Sequence, residues 1–210
     1  MRPCTAAAVL LAASVLCHAA DKAAPAAPQA GQTFYFSPAN PKYVTCDIEF
    51  RHPDEKLWPC FFYGRPAEGT FQYDPNNPKA AFTIVCDKMC QPHADQSRKV
   101  LGELVKPDKA PVVTFTVKGL TPQASSPKPQ AAVDAILDVD GRKLPVKAAG
   151  SLKYESEKGS DAISQVRIVC AFAIQGADLG LKAEDAKGPL SVRVEMLGTT
   201  TKEAPEKKRK

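Results

Sequence analysis

Four side chains with ligand or redox chemistry fall close together in "CDKMCQPH": Cys86, Met89, Cys90 and His93. Thiolate with imidazole suits zinc, and thiolate with thioether suits copper(I). Two cysteines four apart also form a local disulfide if the chain turns helically between them, since one turn brings their Cα atoms to about 6 Å. In an extended strand the same residues lie roughly 13 Å apart, and neither site forms. Alternation places Cys86 at the end of a strand, so a turn is expected directly after it. A Cys86–Cys90 disulfide is then the leading reading in an oxidising compartment. A copper or zinc site on Cys86, Cys90 and His93, or a thiol-redox pair, is the alternative.

The compartment is read from the N-terminus. Arg2, an apolar run from Ala6 to Leu16, and small residues up to Ala19 form the three-part pattern of a secretory signal peptide. The expected organisation is a signal peptide at 1–19, an Ala/Pro-rich linker at 20–32, one domain at 33–199 and a charged tail at 200–210. A periplasmic or secreted location follows, with no transmembrane segment. The net charge is +5. Arg2 leaves with the signal, and residues 202–210 hold five basic and two acidic groups, so the body retains only +1. That balance excludes a nucleic-acid surface. Seven cysteines become five on cleavage: Cys46, Cys60, Cys86, Cys90 and Cys170. Cys46, Cys60, Cys86 and Cys90 are the disulfide candidates, and their pairing is open.

Catalytic signals are absent. No phosphate loop, nucleophile elbow or zinc-protease motif occurs. Only His52 and His93 remain after cleavage. His52 has no visible nucleophile beside it and reads as a strand-end residue. The chain is expected not to be an enzyme and to need no cofactor.

The elements that must position these residues have a period of two. "TCDIEFR", "AAFTIVC", "VVTFTVK", "AVDAILDVD", "LPVKAAGSLKY", "QVRIVCAFAIQ" and "LSVRVEM" each carry one dry and one wet face. "FYFSP" and "GTFQYD" are shorter candidates. "VDGRK" is a hairpin signal, since Asp-Gly suits a type I′ turn. Only "SRKVLGELV", with Val100, Leu101, Leu104 and Val105 on one side, and "ADLGLKAEDA" look helical. The expected class is all-β: an antiparallel sandwich or closed barrel of eight or nine strands, with one or two short helices.

Several phrases occur in the order of a known family. "CDIEFRH", "GTFQYDPNNPKAAFTIVCD", "LVKPDKAPVVTFTVKGL", "LDVDGRKLPVKAAGSL" and "IQGADLGL" resemble successive motifs of the YceI-like family, over about Phe34 to Leu197. The resemblance implies an eight-stranded, lipocalin-like exported barrel. It also implies a long-chain isoprenoid, quinone-like or other lipid as partner. The inward residues Phe50, Phe71, Phe82, Ile84, Phe115, Leu137, Ile168, Phe172 and Val194 would line the ligand cavity. Their alternative is a packed core without a hole, in a filled barrel that acts as an envelope interaction module. The chain departs from the family at Gly176, where arginine is usual, and at Leu179, which replaces an aromatic. It also carries the phrase "PDEKLWPCFFYGRPAE", with Trp58, Phe61, Phe62 and Tyr63, as an insertion. That insertion is expected to be a flap over the barrel mouth, a partner surface or a plug.

Overall fold

The computed structural model describes residues 27–37, 46–54, 56–57, 59–89, 94–105, 111–123, 130–156, 160–182 and 188–201. Nine strands follow in order: β1 (Thr33–Phe36), β2 (Cys46–Arg51), β3 (Cys60–Gln72), β4 (Lys79–Met89), β5 (Val113–Gln123), β6 (Gln130–Val139), β7 (Arg142–Ser156), β8 (Ile163–Gln175) and β9 (Pro189–Thr199). All pairings are antiparallel, and β3 closes the sheet onto β4. Nine strands fill eight positions, because β1 and β2 share one. β2 pairs with the first half of β3 and β1 with the second, and both also touch β9. The result is the expected eight-stranded closed antiparallel barrel.

Closure follows from the alternation. Each strand turns its apolar set inward, and closing the sheet removes both free edges. The β6–β7 hairpin turns at Asp140 and Gly141, both with positive φ, as a type I′ turn requires. The Asp138 carboxylate accepts the Gly141 N–H at 2.7 Å and holds the turn. The one α-helix among the described residues, α1 (Ala94–Leu101), runs into a 3₁₀ turn at Gly102–Leu104. Val100, Leu101 and Val105 are buried, which agrees with the apolar stripe in the sequence. In "ADLGLKAEDA" the described residues form a 3₁₀ turn, Gly176–Leu179, ended by Gly180 in the left-handed region, and residues 183–186 lie outside the described residues.

From Cys60 onward the aromatic insertion is barrel wall. Cys60–Gln72 is one continuous strand with two breaks in register against β4. Cys60 and Phe62 point inward and are buried, while Phe61 and Tyr63 point outward at 37% and 44% exposure. The second break shifts the inward set from Phe62 and Pro66 to Phe71. A bulge of this kind inverts the phase of alternation, so the strand reads in sequence as two unrelated pieces. Trp58 lies outside the described residues.

Candidate functional site

The barrel interior is where the candidate ligand residues converge. Phe50, Phe71, Ile84, Phe115, Leu137, Ile168 and Val194 are all 0% exposed, and Phe82 is buried. A void wide enough to admit water would leave accessible surface on the side chains around it. The interior touching these residues is therefore packed. Rings from different walls fill it: Phe115 of β5 stacks on Phe172 of β8 at 5.7 Å, and Phe36 of β1 on Phe82 of β4 at 3.9 Å. Phe50 and Phe62 meet edge-to-face at 5.8 Å. At the end near β1, Phe34 packs with Phe71 and Tyr154, and Tyr154 with Tyr73. Burial pushes the Tyr154 phenol up.

Phe172 stands apart from the other eight residues. It points inward but is only half-buried. The strand register gives the reason. β7 pairs with β8 only from Ala149–Ala171 to Ser156–Ile163. Its first seven residues, 142–148, pair with β6 alone, and residues 172–175 of β8 pair with β9 alone. The two strands diverge, and the wall has a seam. Leu144 and Val146 on one lip, and Phe172 on the other, are inward apolar side chains that remain partly open to solvent. A shorter divergence, between residues 79–81 of β4 and 118–120 of β5, is covered, since Ala80 and Leu120 are buried.

The seam runs to the barrel end where β7 begins and β8 ends. Leu179, in the turn after β8, is fully buried there. Asp178 accepts the Gln175 N–H at 3.3 Å and shapes that turn. Arg142 reaches across from the start of β7. A Cβ on Gly180 would sit 2.5 Å from its guanidinium nitrogen. So although Gly176 stands where arginine was expected, Arg142 brings a guanidinium to the same turn. Lys182 pairs with Glu103 at 2.6 Å and joins this turn to the one after α1. These residues border a crevice of about 210 Å³ at the end of the seam.

In "CDKMCQPH" the strand does not end at Cys86 as expected. β4 continues as strand through Asp87, Lys88 and Met89, and Met89 pairs with Phe62. The helical turn required directly after Cys86 is absent, and three residues of extended chain already span about 10 Å. Cys90 and His93 lie outside the described residues. Among the described residues no cluster of three or more His, Cys, Asp or Glu side chains forms. Cys46, Cys60, Cys86 and Cys170 are all buried. His52 is a structural residue: its Nδ1 accepts the Asp54 N–H at 2.9 Å, which fixes the turn after β2.

The outer face carries charge in alternating sign. Arg167 of β8 is bonded to Glu195 of β9 and lies 3.7 Å from Glu155 of β7. Arg193 pairs with Glu195 and lies 3.7 Å from Asp47. Burial opposes ionisation of Glu195, but the bonds from Arg167 and Arg193 outweigh it and hold the carboxyl below its ordinary value. Burial and the neighbouring Glu195 push Asp47 the other way.

Comparison with solved structures identifies this architecture. BcnA of Burkholderia cenocepacia superposes with a TM-score of 0.52 over 74% of this chain and 96% of its own, at 10% identity. The fold is YceI-like. Two mutant forms of the CJ YceI protein, one with a monobromobimane guest, match at TM-scores of 0.46 and 0.44. Each match is at 13% identity and covers 62% of this chain and 79% of theirs. No family profile and no curated protein sequence matches the chain. The YceI-like fold is thus carried here by alternation and closure on a very different sequence. Within it, this barrel has a packed interior and a seam between β7 and β8. Among the described residues no helix is long and apolar enough to cross a membrane.

Proposed function

We propose that this YceI-like barrel is an exported binding protein for a long-chain apolar ligand, an isoprenoid or another lipid, which reaches the interior through the β7–β8 seam. The observation that carries this reading is the half-buried Phe172, stacked on Phe115 inside the barrel and open at the seam. Most other inward side chains among the described residues are buried. Here the hydrogen-bonded wall is interrupted over the side chains that a ligand would touch first.

The resting interior is closed, so binding requires displacement. Phe172 swings off Phe115, and the ligand chain takes the place of protein contacts. The gain is the removal of ligand methylenes from water, about 0.8 kcal/mol for each CH₂. The cost is separating packed rings, which favours slender, flexible chains over bulky rigid ones. A polar head remains near Arg142 at the end of the seam. Export rests on the signal-like N-terminus, which lies outside the described residues. The YceI-like fold supports a binding role rather than an enzymatic one.

Titration of the purified protein with a polyprenyl alcohol, followed by intrinsic fluorescence and native mass spectrometry, tests the reading. Saturable one-to-one binding that responds to Phe172→Ala supports it. No binding of any long-chain probe refutes it.

A second reading is favoured by a different observation. Phe61 and Tyr63 are exposed on the outer face of β3. Tyr63 borders an open groove of about 530 Å³ with Arg65, Val85 and Lys88. A filled barrel that uses this face to contact another envelope protein would bind through β3 and be indifferent to changes at the seam.

A further inference from the structure

We propose that Cys46 and Cys86 form a disulfide that ties β2 to β4 across the intervening strand β3. Strands two apart in a sheet are normally separated by about 9.5 Å. Here Cα atoms of β2 and β4 approach within 8 Å although β3 lies between them. The reason is Gly64. It is the register partner of Cys46 on one side. On the other side, the β3–β4 pairing breaks between Tyr63 and Arg65, so that Cys86 and Asp87 together face Gly64. A Cβ at Gly64 would fall 1.9 Å from the Val85 carbonyl oxygen and 2.6 Å from the Cys86 Cα. The β4 backbone thus occupies the space that a side chain on β3 would need. Cys86 reaches over the glycine, and its Sγ lies 3.6 Å from the Cys46 carbonyl oxygen. Both cysteines are 0% exposed.

The step balances as thiol–disulfide exchange. Each cysteine gives up its proton and one electron, and the sulfurs join. A disulfide oxidant, such as oxidised glutathione or a protein disulfide, is cleaved to two thiols. In the finished barrel the exchange is slow. Both sulfurs are shielded, burial pushes the Cys46 thiol up to about 12, and burial with Cys46 as a neighbour raises Cys86 as well. The bond is therefore made during folding in the exported state, before β4 closes over β3, and is afterwards protected from reductants. This inference is independent of the ligand: it concerns the wall opposite the seam.

The test is refolding of the full chain from the reduced, denatured state in a reduced/oxidised glutathione mixture. Free thiols are then alkylated in denaturant and the peptides mapped without reduction. The expected result is a linked peptide joining Cys46 to Cys86, two hydrogen masses lighter than the separate thiols. In Cys46→Ala that link is lost and Cys86 becomes alkylated. Alkylation of both Cys46 and Cys86 in refolded wild-type protein would overturn the proposal. So would a bond from either to Cys60, Cys90 or Cys170. The wild-type map decides the matter even if the variant fails to fold.

Discussion

The wall built from β2, β3 and β4 and the wall built from β7 and β8 use the same alternating pattern to opposite ends. In the first, strands crowd together. Gly64 lets β4 press against β3, Cys46 and Cys86 meet over it, and Phe50 and Phe62 interlock beneath. In the second, strands part. Seven residues of β7 and four of β8 have no hydrogen-bonded partner across the gap, and Phe172 fills part of it. A closed barrel has no free edge, so any opening must be made by local loss of pairing. This molecule places that loss on one side and its tightest packing on the other. Access to the interior is thus a property of register rather than of composition, since apolar side chains line the inner faces of both walls.

That contrast can be broken at the tight wall first. Gly64→Ala places a methyl group against backbone atoms that no side-chain rotation can move aside, so it is expected to destabilise by about 3 kcal/mol, read from urea unfolding. Gly141→Ala is the control: its Cβ would meet nothing within 4 Å, although its φ of +90° leaves a smaller backbone strain. A second comparison pairs two rings. Phe62→Ala, at a fully buried site, is expected to cost about 3–4 kcal/mol. Phe172→Ala, at the half-buried lip, is expected to cost about 1–2 kcal/mol while changing ligand binding. Equal losses of stability at the two sites would mean that the seam is as sealed as the rest of the wall.

Hydrogen exchange sharpens the comparison without mutation. Backbone amides of residues 142–148 that point toward β8 are expected to exchange much faster than those of β3 and β4, because they lack a ladder partner. Uniform protection across both walls would remove the seam. The smallest effect is electrostatic. Glu195 has a depressed pKa in the folded chain, so its contribution to stability is present above its unfolded value of about 4.5 and is lost as pH falls through the folded value. Asp47, shifted upward, has the opposite sign and offsets part of it. Acid unfolding curves of Glu195→Gln are expected to lose slope in that region relative to the parent chain.

Much of the architecture is legible in the sequence for a physical reason. Antiparallel strands with one dry face write themselves as alternation, and Asp140-Gly141 declares its hairpin through the positive φ it requires. The exception is β3. The bulge after Pro66 shifts the phase, and a reader who follows alternation sees an insertion where the chain makes its second-longest type of strand, thirteen residues. The same effect hides the end of β4, where the register break beside Cys86 mimics a strand terminus although the strand runs on to Met89. The inward residues were correctly grouped by period, because burial repeats every second position. Whether they enclose space was not legible. Packing depends on which rings meet across the barrel, as Phe115 and Phe172 do, and strand alternation says nothing of partners on the far wall. The seam was equally hidden, since residues 142–148 alternate as regularly as any paired strand.

The most direct test of the ligand account is native mass spectrometry of the exported, untagged protein before and after extraction with organic solvent. The account predicts one long-chain lipid bound per chain, removed by solvent and restored by adding that lipid to the wild type, with altered restoration in Phe172→Ala. A bare chain before extraction that also takes up no long-chain lipid afterwards would contradict it.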